Sequence, residues 1–219
     1  MTSLIEDIRE AQDGRGVVRV GIDGVDGAGK TVLADALGDA LLEAGMHAVR
    51  VSVDGFHRSR AERYRRGPRS PEGFFLDSYD YEAFRRDVLD PFGPGGDRRY
   101  RAAMHDHVSD RLVDEPYRVA PADAVLVVDG IFLHRDELAG AWDVSVFLEV
   151  PFSETFARMA VRDGCPPDPE DEANRRYVEG QRIYLAQCDP PSRATLVIDN
   201  TDPQRPAVRA RRDRVTPGR

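Results

Sequence analysis

The sequence predicts an α/β protein, a P-loop NTPase-type doubly wound parallel sheet of five strands with a helical lid, and three observations lead there. Apolar runs of strand length recur at residues 17–22, 47–53, 124–128, 142–150 and 195–198, with helical periodicity between them. Strands that alternate with helices build a parallel sheet covered on both faces. The first run breaks into Gly24, Gly27 and Gly29 and passes straight into a helical pattern, while two other runs lead into acidic residues, Asp54 and Asp129. Open α/β sheets place their ligands at those strand ends.

Taken in order, residues 2–12 put Leu4, Ile5 and Ile8 on one helical face and stop at Asp13-Gly14. Residues 17–31 read VVRVGIDGVDGAGKT, and Leu33, Ala34, Leu37, Ala40, Leu41 and Leu42 follow at helical spacing. Residues 24–31 fit G-x-x-x-x-G-K-[ST] in the strand–loop–helix setting that a phosphate-binding loop requires. Gly24, Val25, Asp26, Gly27, Ala28, Gly29, Lys30 and Thr31 are therefore the expected nucleotide loop. Glycines let backbone N–H groups converge on phosphate oxygens, and the helix N-terminus adds partial positive charge. In that arrangement Lys30 reaches the β- and γ-phosphates and the Thr31 hydroxyl ligates Mg²⁺. Lys30 is the only lysine among 31 basic residues. A chain that uses arginine everywhere else keeps a compact ammonium where a planar fork does not fit.

The run at 47–53 leads into Asp54-Gly55-Phe56-His57, either a functional strand end or a plain Asp-Gly turn. The arginine-dense stretch that follows (Arg58, Arg60, Arg63, Arg65, Arg66, Arg69) is too polar for a core. Asp80 is a candidate N-cap for a helix over 81–89. His105-Asp106-His107 lacks a third ligand at metal spacing, so contact with a polar substrate fits better. Four apolar residues close on Asp129, the pattern of a Walker-B-type carboxylate that completes a P-loop metal site. Helical patterns at 153–161 and 171–187 flank a Pro-rich break at 164–170, with arginines on both sides. They read as a closing lid or as paired surface helices.

A chain of 219 residues suits one domain, expected over 1–202. The net charge of −8 argues against a general nucleic-acid binder. Cys165 and Cys188 are too few for a disulfide framework, and no apolar run has membrane length. Those features point to a cytoplasmic protein without membrane partners. Residues 203–219 carry six arginines and one aspartate with no apolar periodicity, which reads as a disordered basic tail.

With these segments in hand, the chain resembles the uridine kinase and phosphoribulokinase group of P-loop kinases over roughly residues 15–202. The resemblance rests on 24–31, Asp54-Gly55-Phe56-His57, Phe75-Leu76-Asp77, Val128-Asp129-Gly130, Arg158 with Arg162, and Asp199-Asn200. It implies a sheet with the P-loop strand at its centre, and transfer of the ATP γ-phosphate to a primary hydroxyl of a small acceptor, a nucleoside first. Asp54 then matches the carboxylate that takes the hydroxyl proton and reaches the metal, and His57 and Asp77 fall among residues that hold the acceptor. Arg158 and Arg162 match lid arginines that neutralise phosphates, and Asn200 lies near the adenine edge. Residues 103–111 align with a base-binding segment in which the usual tyrosine is His105 and the usual histidine Asp110. That difference points to altered base preference, and a pantothenate-like or sugar acceptor is the alternative. A P-loop ATPase or switch leaves the Asp54 segment unexplained. A homo-oligomer is compatible with this group.

Overall fold

The computed structural model describes residues 1–14 and 16–212. Its centre is a six-stranded sheet. In chain order the strands are β1 (Val18–Gly24), β2 (Ala48–Ser52), β3 (Val125–Asp129), β4 (Val144–Glu149), β5 (Leu196–Asp199) and β6 (Ala207–Arg211). They lie side by side as β6-β5-β4-β1-β3-β2. The first five strands are mutually parallel with β1 in the middle, as expected.

Alternation along the strands explains the double winding. Val18, Val20 and Ile22 of β1 and Val125 and Val127 of β3 face one core, where α1 (Thr2–Gln12) contributes Leu4 and Ile8 and α2 (Lys30–Glu43) contributes Leu37 and Leu41. Leu126 and Val128 of β3 face the opposite core with Val49, Val51, Phe56, Phe84 and Phe132. Successive strand residues point to opposite faces, so strands buried on both sides read as continuous apolar runs. Each fully buried Leu, Ile or Phe contributes on the order of 1.5–3 kcal/mol relative to an exposed one.

The second face is closed by α3 (Pro71–Asp77) against α5 (Arg175–Cys188), while α4 (Phe152–Asp163) follows β4. α3 is a helix that sequence patterning left unassigned, although Ser70-Pro71 announces it. The Ser70 hydroxyl caps the Gly73 N–H at 3.0 Å, and proline occupies the first turn, where no amide donor is needed. Asp80 caps the next short helix as expected, accepting from the Ala83 N–H.

β6 corrects the expectation of disorder from residue 203 onward. Residues 207–211 pair antiparallel with β5, and all five are exposed. Backbone pairing needs no apolar face, and ion pairs of Arg209 with Asp199 and of Arg211 with Asp7 clamp the strand. Arginines along an outer strand also suit a sheet edge that must not recruit another chain. The remainder of the expected tail, 213–219, lies outside the described residues.

Candidate active site

Strand register gathers the site at one edge of the sheet. Asp129 pairs in register with Ile22 of β1 and with Ser52 of β2, so the P-loop, Asp129 and Asp54 share the carboxyl ends of three adjacent strands. The loop needs its glycines. Gly27 has φ +74° and a Cβ there would lie 2.6 Å from the Thr155 carbonyl oxygen; Gly29, at φ +97°, begins α2. Lys30 Nζ donates to the Val25 carbonyl at 2.9 Å, which lays the ammonium over the loop.

The Thr31 hydroxyl donates to Oδ2 of Asp129 at 2.7 Å, and Asp129 is only 2% exposed. Among the described residues no group of three His, Cys, Asp or Glu side chains forms a metal cluster. The donor set instead fits Mg²⁺, which takes few protein ligands and completes its shell with phosphate oxygens and water. Thr31 and Asp129 would hold that ion.

Arg158 and Asn200, expected on the nucleotide side, both reach the loop. Asn200 Nδ2 donates to the Ala28 carbonyl at 2.7 Å. The Arg158 guanidinium donates to the carbonyls of Gly27 at 3.3 Å, Asn200 at 2.8 Å and Thr201 at 2.9 Å. Arg162 acts on the loop through its charge, which opposes the burial that raises the Asp26 pKa. Its guanidinium grips neighbouring Asp163 at 2.8 and 2.7 Å, and its side chain is 68% exposed. The second helix of the expected lid, α5, is docked into the body. Arg176 is buried and donates to the carbonyls of Arg63 and Ser70, and Tyr184 packs among Phe75 and Phe132. What stands between the helices is the connection 164–174.

On the acceptor side, Asp54 sits in a 3₁₀ turn (Val53–Phe56) started by the Ser52 hydroxyl, and it is exposed. Tyr79 donates its phenol proton to Asp54 Oδ1 at 2.8 Å. Burial, then the Asp54 charge, pushes the Tyr79 phenol well above its usual range, so it stays a donor. His57 bonds the Asp54 carbonyl oxygen through Nδ1 at 2.8 Å, stacks on His107 (4.6 Å) and lies tilted against Tyr79 (4.5 Å). Burial lowers its pKa to about 4 against the opposing pull of Asp54. A carbonyl only accepts, so Nδ1 carries the proton and Nε2 is an acceptor. Asp26, whose N–H donates to Gln181 Oε1 at 2.6 Å, has its carboxyl pushed upward by burial and by the Asp54 charge, while Lys30 pulls it back.

Three expected acceptor residues are engaged with the protein itself. Asp77 is 1% exposed, and its two oxygens receive Arg65 and Arg66. Burial alone would raise its pKa, but those guanidiniums hold it below the ordinary carboxylate range. His105, 5% exposed, faces Asp110 at 3.3 Å, and Asp110 also accepts the Arg60 N–H at 2.7 Å. The pair therefore ties the 105–112 ribbon to the arginine stretch.

Sequence reading missed several site residues. Arg50 interrupts the apolar alternation of β2 and ion-pairs Asp129 at 3.1 Å; a charge inside Val49-Arg50-Val51 was the available signal. Asp23 is fully buried and accepts from the Gly24 N–H and from His134 Nδ1, each at 2.7 Å, and from the Tyr184 hydroxyl. It ties the start of the P-loop to the segment after β3 and to α5. Its partners are 111 and 161 residues away, so no local pattern announces them.

A parallel sheet with this loop at its centre is the architecture of the P-loop kinases. No family model matches the chain. A curated uridine kinase of Leuconostoc citreum is 25% identical over 153 residues, covering 66% of this chain and 67% of that protein. A structure described as a possible uridine kinase from Bacillus stearothermophilus superposes with a TM-score of 0.65 at 22% identity, covering 89% of this chain and 98% of that one. One assigned as a fructose transport system kinase from Silicibacter gives 0.63 at 28% identity, covering 81% and 92%. Rhodobacter sphaeroides phosphoribulokinase gives 0.61 at 18% identity, covering 85% and 71%. The chain has the fold of the P-loop kinases of the uridine kinase and phosphoribulokinase type, and its similarity to these proteins supports a phosphotransferase of that type.

Proposed function

We propose that the protein transfers the γ-phosphoryl group of ATP to a primary hydroxyl of a small polyhydroxylated acceptor, with a nucleoside such as uridine as the first candidate. The observation that carries this reading is Asp54, an exposed carboxylate oriented by Tyr79 beside the P-loop. A water-only ATPase has no evident use for it.

The chain's own groups account for the step. Backbone N–H groups of 24–31 and the Lys30 ammonium bind and orient the phosphates, and Arg158 holds the Asn200 loop against them. Thr31 and Asp129 would hold Mg²⁺, whose charge would supply neutralisation of the transferred phosphoryl group. Asp54 accepts the acceptor's hydroxyl proton as that oxygen bonds to the γ-phosphorus, while the bond to the bridging β–γ oxygen breaks and ADP departs. Most of the rate comes from positioning and charge neutralisation. His57 Nε2 offers an acceptor for a second acceptor hydroxyl.

A sugar is the second reading, favoured by two observations. One is the 28% identical structure assigned as a fructose transport system kinase. The other is the engagement of His105 with Asp110, the positions expected to face a base. The test is ADP release by purified protein with Mg²⁺ATP and, in turn, uridine, cytidine, ribose, fructose and pantothenate. Release that depends on an acceptor supports the reading, and release that ignores all acceptors overturns it in favour of an ATPase.

A further inference from the structure

Four side chains from three elements close a ring at the carboxyl edge of the sheet. Thr31 and Asp35 stand one turn apart on α2, Arg50 lies on β2 and Asp129 ends β3. Thr31 Oγ1 donates to Asp129 Oδ2 at 2.7 Å, and Arg50 Nη2 donates to Asp129 Oδ1 at 3.1 Å. The same guanidinium donates to Asp35 Oδ1 through Nη2 at 2.9 Å and Nε at 3.2 Å, and to the Val127 carbonyl through Nη1 at 3.1 Å. Gly38 makes room for it: a Cβ there would lie 3.3 Å from Arg50 Cδ, so the arginine stem packs flat on α2.

We propose that Arg50, oriented by Asp35, is a positioning residue of the Mg²⁺ site. A carboxylate presents two equivalent oxygens, and a buried one left half paired is costly and free to tilt. With Oδ1 held by the guanidinium, Oδ2 is the oxygen that accepts the Thr31 proton. The lone pairs of the Thr31 oxygen are then left for a cation. The planar fork matters because three of its nitrogens are anchored in fixed directions by two other elements, which a flexible ammonium cannot reproduce. Residues that orient metal-site groups without touching the ion typically alter metal affinity ~10–100-fold when removed.

The competing account is a plain strut between β2 and β3, and the two differ in what they do to nucleotide binding. The inference rests on the Mg²⁺-nucleotide part of the proposed function and not on the acceptor. The experiment is calorimetric binding of a non-hydrolysable ATP analogue, once in EDTA and once across a Mg²⁺ series. Arg50→Met keeps the apolar stem. It should leave metal-free affinity within about twofold while raising the Mg²⁺ concentration for half-maximal enhancement about tenfold or more. Arg50→Lys should fall between wild type and Arg50→Met, and Asp35→Asn should shift in the same direction by less.

An unchanged Mg²⁺ dependence in Arg50→Met, or equal loss of affinity with and without metal, overturns the proposal. Should Arg50→Met fail to fold, Asp35→Asn decides, because Asp35 is 65% exposed and its side chain is dispensable for packing; no shift there overturns it as well. A wild-type protein whose nucleotide affinity ignores Mg²⁺ overturns both this inference and the metal part of the proposed function. Mg²⁺-enhanced binding that depends on Arg50, in a protein that phosphorylates no acceptor, upholds this inference while the transferase reading falls.

Discussion

The phenol of Tyr79 donates to Oδ1 of Asp54 at 2.8 Å, joining the end of β2 to the chain beyond α3. The contact leaves Asp54 exposed yet fixes one of its oxygens, so the other is presented in a defined direction. Geometry of that kind separates a general base from a solvated surface carboxylate.

Tyr79→Phe keeps the ring on His57 and removes only that donor. Turnover should fall by about tenfold, in line with the loss of one orienting hydrogen bond at a base, while ATP affinity stays within a few-fold. Steady-state kinetics with the preferred acceptor and separate nucleotide titration check this. Equal loss of nucleotide binding would assign Tyr79 a structural role instead.

Lys30→Ala should abolish transfer and weaken ATP binding, because the chain holds no second lysine to take its place. Lys30→Arg should also be severely impaired, since the fork is broader than the ammonium that now reaches the Val25 carbonyl at 2.9 Å. Near-native turnover in Lys30→Arg would place the lysine outside the phosphate site.

His57 gives the fold a pH dependence with a definite sign. Its pKa is about 4 in the folded chain, where burial disfavours the charged ring, against an ordinary 6.5. The unfolded chain therefore takes up the proton more readily. The stability carried by the neutral ring is fully present above pH 6.5 and is lost as the pH falls toward 4. Thermal melting from pH 7 to pH 4 should show a shallower decline in His57→Gln than in wild type. Identical slopes would mean that the ring titrates near its ordinary value.

Much of the architecture was legible in the sequence because its signals are local. The P-loop strand, Asp129 and the two helical patterns around β4 and β5 each announce themselves within a dozen residues, and parallel strands buried on both faces carry continuous apolar runs. The partners of Arg50, Asp23 and Tyr79 were hidden for the opposite reason. Their contacts span 79, 111 and 25 positions and follow from how distant elements pack, which local composition does not encode. Residues 207–211 misled because arginine density suggested a solvated tail, yet a strand on a sheet edge needs only backbone pairing and ion pairs. His105 and Asp110, expected to face a base, close on each other, and Arg162 turns to its neighbour Asp163. Side-chain pairing at such positions is decided by neighbours that no spacing rule supplies.

The central claim is that Asp54 takes a proton from an acceptor bound beside the P-loop. The most direct measurement compares Asp54→Asn with wild type in acceptor-dependent turnover and in Mg²⁺ATP binding. Amide and carboxylate have the same shape, so the substitution isolates basicity. Turnover should drop by ~10²–10⁴ with ATP affinity held within a few-fold, the signature of a lost general base. Unchanged turnover, or parallel loss of nucleotide binding and turnover, would contradict the account.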